Sequence, residues 1–209
     1  PVTPATVYAA LSGGGVYKSA NAGTTWTAIN NGLLSSNVQS IAINPATPTT
    51  LYAGTTSGIY KSTDGGASWI SASSGLFDPN VNVLVIDPRT PNTLYAGTAS
   101  VGVFRSLNGG IFWLASNSGL TSSSLGILVS AMVIDPGTGT LYAATGEANV
   151  SQLYKSTNGS AWTATRLATS RMNSLAIDRT NSNALYAATG GGSDAFIAKW
   201  DGAGSLLYS

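Results

Sequence analysis

A chain of 209 residues can bury a sizeable core, yet only 8% of this one is Asp, Glu, Lys or Arg, against a usual quarter. The net charge is +1 and the nine Lys and Arg are spread singly, so no basic stripe exists for a phosphate backbone, and nucleic acid is excluded as a partner. With no Cys and no His, disulfides, thiolate metal sites and imidazole bases are excluded too, and neither a metal nor a cofactor is expected.

The chain opens at PVTPAT, without the charged and apolar leader of a secretory signal, as a mature exported segment also would. From there one phrase returns: VYAAL at 7, LYAGT at 51 and 94, LYAAT at 141 and 185. Steps of 44, 43, 47 and 44 residues divide the single region 1–209 into five units, about 1–37, 38–80, 81–129, 130–171 and 172–209. In the unit at 81–117 the runs VNVLVID, TLYAGT, GVFRS and FWLAS are separated by the turns DPRTPN, ASV and LNGG. Val, Ile, Leu and Tyr bounded by Gly, Pro, Asn and Ser predict strands, and no 3.6-residue periodicity supports a helix. Four strands in a period near 44 predict an all-β fold, a β-propeller of four-stranded antiparallel blades. The longest apolar run, LGILVSAMVI at 125–134, is too short to cross a bilayer.

Between the third and fourth predicted strands a Ser-x-Asp/Asn-x-Gly-x-x-Trp outline recurs. It is carried by Ser19, Asn21, Gly23 and Trp26, by Ser62, Asp64, Gly66 and Trp69, and by Ser106, Asn108, Gly110 and Trp113. A copy one residue shorter carries Ser156, Asn158 and Trp162. An Asp or Asn oxygen accepts from backbone N–H groups two residues on, Gly supplies positive φ, and Trp offers a large apolar body to bury. Three copies have Asn where the other has Asp64, so the charge is not what they share. A calcium loop or an acid catalyst needs that charge; a hairpin turn does not.

These four turns, in register with the LYAGT strands and the I-x-x-P turns, resemble the Asp-box (BNR) repeat of sialidases, some endoglucanases, sortilin-type receptors and photosystem assembly factors. The resemblance covers residues 1 to about 178 and implies a propeller whose boxes close the outer hairpin of each blade. The last unit has no box; on Asp194, Ala195, Phe196, Lys199, Gly204, Tyr208 and Ser209 it is similar to the bacterial SBBP propeller repeat. The F/Y-R-I-P motif of the sialidases does not occur.

Asn44, Asp87, Asp135 and Asp178 follow strands and read as turn initiators. Tyr52, Tyr95, Tyr142 and Tyr186 read as packing residues. Repeated elements build the frame, so a site belongs where the copies differ. Those places are the fourth-to-first connections LLSSN, LFDPN, LTSSSLGILVS and RLATSRM, and the second-to-third connections SGGG, TSG, ASV, GEANVSQ and GGGSDA. They share one end and bring forward Asn37, Phe77, Asp78, Asn80, Glu147, Arg166, Arg171 and Asp194 as ligand candidates. Asp78, Glu147 and Asp194 are the carboxylates available for acid and base roles on a glycosidic bond. Asn149 and Asn158 fit the N-glycosylation pattern.

PVTPATVYAAL aligns with PATPTTLYAGT at 45, so the first unit holds three strands and the chain nineteen. Three arrangements stay open: a five-bladed ring lacking one inner strand, a window of a larger propeller, or closure by a strand from a neighbouring subunit, since an open edge templates pairing. The functional expectation is a non-enzymatic extracellular or cell-surface propeller, bacterial in type, that serves as a binding or structural module for a glycan or protein partner. A glycoside hydrolase resembling the Asp-box endoglucanases, and a subunit of a surface assembly or filament joined by strand exchange, are the alternatives.

Overall fold

In the computed structural model of the chain, residues 5–121, 126–147, 150–169, 171–178, 184–190, 195–200 and 206–208 are described. Their nineteen strands form five sheets, each a meander in chain order. The first holds β1 (Val7–Leu11), β2 (Gly15–Ser19) and β3 (Thr27–Ala28). The second holds β4 (Val38–Ile43), β5 (Leu51–Thr55), β6 (Gly58–Ser62) and β7 (Ile70–Ser71), and the third β8 (Val81–Ile86), β9 (Leu94–Thr98), β10 (Val103–Ser106) and β11 (Leu114–Ala115). The fourth holds β12 (Val129–Ile134), β13 (Leu141–Glu147), β14 (Val150–Ser156) and β15 (Thr163–Thr169); the fifth holds β16 (Met172–Ile177), β17 (Leu185–Gly190), β18 (Ala195–Trp200) and β19 (Leu206–Tyr208). Ala195, Phe196 and Lys199 thus lie in β18 and Tyr208 in β19, while Asp194, Gly204 and Ser209 lie outside the described residues.

The chain divides into two compact units, Pro1–Ala96 with Ser106–Leu114, and Gly97–Arg105 with Ala115–Ser209, the division running through the third sheet. In the first unit Val16, Val38, Leu51, Ala53, Tyr60 and Trp69 form one buried cluster. In the second, Ala131, Ala144, Leu153, Met172, Leu185 and Ala187 form another. The LYAGT strands are central in their sheets and bury every residue, as a run sandwiched on both faces must. Each outermost strand β3, β7 and β11 is two exposed residues long, which keeps the free edge too short to template further pairing.

Three inner strands share one irregularity. Register shifts between Val38 and Ser40, Val129 and Ala131, and Met172 and Ser174 leave Gln39, Ser130 and Asn173 unpaired in their ladders. A bulge of this kind re-aims the side chain it carries. Gln39 is exposed by it and donates its amide to Asn80 Oδ1 at 2.9 Å.

Strand reaches further into two expected connections than the sequence suggests. In GEANVSQ, β13 runs to Glu147, which pairs with Val150 at the start of β14. In RLATSRM, β15 extends through Arg166 to Thr169. The reason lies opposite it, where the register shifts between Gln152 and Tyr154 and Gln152 Nε2 donates to the carbonyls of Thr165 and Leu167, both at 2.9 Å. One amide side chain thereby satisfies the backbone that the shift leaves without ladder partners.

Candidate functional site

The four Ser-x-Asp/Asn turns have nearly one geometry. Ser62 donates its hydroxyl to Asp64 Oδ1 (2.7 Å) and accepts the N–H of Gly66 (2.9 Å), while Asp64 Oδ1 accepts the N–H of Ser68 (3.0 Å). Ser19 and Asn21 do the same with Gly23 and Thr25, and Ser106 and Asn108 with Gly110 and Phe112. In the short copy Ser156 bonds Asn158 and Gly159, and Asn158 Oδ1 accepts from Ser160 and Ala161. The expected acceptance two residues on thus occurs only in the short copy; in the long ones the oxygen reaches the fourth residue, and the Ser hydroxyl takes the intervening Gly.

Hydrogen bonds from the Ser68 hydroxyl, then from its N–H and from Ser62, hold the Asp64 carboxyl well below the usual carboxylate range. A folded-state value depressed below the unfolded one, near 4, contributes stability above about pH 4 that is lost as pH falls through the folded value. Asp64→Asn keeps the acceptor, as in the three sister turns, and removes that titration. The expected result is a stability difference between wild type and variant that shrinks steadily on acidification, read from thermal midpoints between about pH 7 and 2. Parallel decline of the two proteins would show that the Asp64 bonds do not couple to folding.

These turns share their end with the turns after the inner strands, since Gly65 N–H bonds Thr49 O and Gly109 N–H bonds Asn92 O. There Asn44, Asp87 and Asp135 cap the backbone two residues on. Burial of Asp87 opposes its ionisation, but the hydrogen bonds and charge of Arg89 outweigh it and hold its carboxyl below the usual range. A depression of 460 Å³ in the first unit, bordered by Asn44, Ala46, Thr47, Thr90, Pro91 and Asn92, lies at this end, away from the candidate residues.

Lysines are also consumed here. Tyr52 Oη and Lys61 Nζ both donate to Gly109 O (3.0 and 2.8 Å), with the ammonium 5.4 Å from the Tyr52 ring centre. Tyr8 and Lys18 repeat this on Gly65 O, and Arg105 donates to Asn158 O at 3.1 Å. Desolvation raises the Tyr52 phenol pKa, so it stays a neutral donor. The recurring signal was in the sequence: Lys18, Lys61, Arg105, Lys155 and Lys199 stand at matching places on the third strands, five of the nine cations.

Within each unit the variable connections lie at the opposite end of the strands. In the first unit Asn37 is exposed and its Oδ1 accepts from the Ser12 hydroxyl (3.4 Å); Asn80 accepts from Gln39; Phe77 is 81% exposed and Leu34, at the matching place one unit earlier, 86%. Asp78 is only 7% exposed, and its Oδ1 accepts the N–H of Asn80 at 3.0 Å. It is the one carboxylate of the first unit at this end, and it is folded into a turn. In the second unit Arg166 and Arg171 are exposed, and the Arg171 carbonyl accepts the N–H of Gly190. Glu147 ends β13, and Asp194 lies outside the described residues. Among the described residues no group of three or more Asp and Glu gathers into a metal site.

Five consecutive meanders of three or four strands, stepped by a repeat near 44 residues, are blades. The fold is a β-propeller. It is similar to the GH74 enzyme of Niastella koreensis (20% identity, TM-score 0.73, covering 97% of this chain and 34% of that one). It is also similar to YCF48 bound to D1 peptide (17%, 0.65, 97% and 63%) and to the extracellular domain of the one-component system BT4673 of B. thetaiotaomicron (16%, 0.74, 100% and 27%). This chain spans about a third of the length of the GH74 protein. No family model and no curated protein sequence matches it.

Proposed function

We propose that the chain is a non-enzymatic binding module of an extracellular or cell-surface propeller, taking a glycan or a protein at the end that carries Asn37, Gln39, Phe77 and Asn80. The observation that carries this reading is that one connection holds Phe77, 81% exposed, and Asn80, which accepts from the exposed Gln39 amide, while the carboxylate between them, Asp78, is buried. An apolar ring beside uncharged donors and acceptors suits sugar hydroxyls or a peptide backbone, and offers nothing to a phosphate. The four Ser-x-Asp/Asn turns are read as Asp boxes that close the blades, and the last unit as SBBP-like. Likeness to an extracellular domain and to a peptide-bound propeller supports the location and the partner class.

Binding to panels of soluble oligosaccharides and peptides tests it. Phe77→Ala and Gln39→Ala, both at exposed positions, are expected to leave the fold intact and to weaken binding about tenfold each, the size of a loss of about 1.4 kcal/mol. Hydrolysis of any bound oligosaccharide that Glu147→Gln or Asp194→Asn abolishes would replace this reading with a glycoside hydrolase one.

A further inference from the structure

One rule joins successive sheets and is seen three times. The Trp of each turn donates its indole N–H and its backbone N–H to two carbonyls, two residues apart, in the tail that follows the preceding outer strand. Trp69 takes Ile29 and Asn31 (2.7 and 2.9 Å), Trp113 takes Ala72 and Ser74 (2.8 and 2.9 Å), and Trp162 takes Ser116 and Ser118 (2.7 and 2.8 Å). The residue between each pair, Asn30, Ser73 or Asn117, turns back to accept an N–H at the start of β2, β6 or β10, from Val16, Ile59 or Val103. Next comes Gly32, Gly75 or Gly119, and then Leu.

The Gly is demanded twice over. Its φ lies between +83° and +88°, and an added Cβ would fall 2.1 to 2.3 Å from the carbonyl oxygen of the docked Trp. Both halves of the rule disappear together: the tail RLATSR at 166–171 has no Gly-Leu, and the unit after it has no such Trp turn.

Trp26 carries one half without the other. Its turn has the same Ser19 and Asn21 bonds, yet it is 43% exposed against 3%, 0% and 4% for Trp69, Trp113 and Trp162, and among the described residues no tail lies on it. In the same sheet, β1 pairs only with β2 among the described strands, and Val7 and Leu11 are 39% and 44% exposed. We propose that this face of the first sheet is a docking site for the outer-strand tail of another repeat unit, of the form Asn/Ser-Asn/Ser-Gly-Leu. A second copy of this chain does not supply it, because its three tails of that form are already held by Trp69, Trp113 and Trp162. This site is separate from the ligand end proposed above.

The sequence supplies the test. Pro1 aligns with Pro45 and Pro88, so residues 38–87 can be added ahead of the chain in register, presenting the SSGL tail at high local concentration. Acrylamide quenching of Trp26, isolated as the difference from a Trp26→Phe version, is expected to fall severalfold in the fusion and to return when the added copy carries Gly75→Ala. A peptide of residues 70–77 added to the unfused chain should shift the indole N–H resonance that Trp26→Phe removes, and its Gly75→Ala counterpart should not. A Trp26 that stays fully quenchable in the fusion, with a resonance unmoved by the peptide, would sink the proposal. So would shielding of Trp26 that grows with the concentration of the unfused chain alone, since a second copy would then be the occupant.

Discussion

Gly75→Ala is expected to destabilise the first unit by about 3 kcal/mol, lowering its melting midpoint by roughly 6–12 °C at the usual 2–4 °C per kcal/mol for a chain of this size. Two costs add. Alanine at φ +84° is strained by about 1–2 kcal/mol. Its Cβ would also stand 2.3 Å from Trp113 O and 2.9 Å from the Phe112 ring. The ring can swing aside, but the carbonyl belongs to a backbone pinned by the bonds to Ala72 and Ser74, and overpacking of this sort costs about 1–3 kcal/mol. Gly13→Ala separates the two, for at φ +81° its nearest neighbour is Asn37 Oδ1 at 4.0 Å, so strain of about 1 kcal/mol is all that is expected. Calorimetry of both variants decides the matter, and equal shifts would mean that the Trp113 carbonyl yields freely.

The second large effect sets one Trp against another in an equivalent turn. Trp113, fully buried, should cost about 3–5 kcal/mol on substitution by Ala, through lost packing and an unfilled cavity. Trp113→Phe keeps most of the packing and strands the Ala72 carbonyl, for about 1–2 kcal/mol. Trp26→Ala, at a 43% exposed position, should cost less than about 1 kcal/mol. Urea unfolding of the three variants should therefore rank them in that order. A Trp26→Ala as damaging as Trp113→Ala would show that the first turn needs its ring for its own folding rather than for a neighbour.

Some of the candidate end could be read without coordinates and some could not. LFDPN differs from its sister connections, which points to Phe77 and Asn80, and the structure puts Phe77 at the surface and Asn80 against Gln39. Gln39 itself was invisible, because only a register shift in β4 detaches it from the ladder. Asp78 looked like an available carboxylate; its burial depends on how the chain folds back over it. Arg166 and Glu147 stand where the sister units have variable connections, and extended pairing takes them into strands instead. The N/S-N/S-G-L tail was legible as a repeat, yet its meaning required seeing whose carbonyl occupies the space a Cβ would take.

What the sequence by itself determined was the all-β class, the four-strand period and the turn chemistry. These rest on local alternation, on Gly and Asn conformations, and on short-range bonds such as Ser62 to Asp64 that span a few residues. What only the tertiary structure decided is which repeated groups are spent between sheets. Trp69 and Trp26 have the same local sequence signature, and so do Lys61 and Lys18, but whether a ring is buried depends on a partner some forty residues away, as Ile29 is from Trp69. Periodicity sets what each unit offers; the neighbour that accepts it is settled by packing.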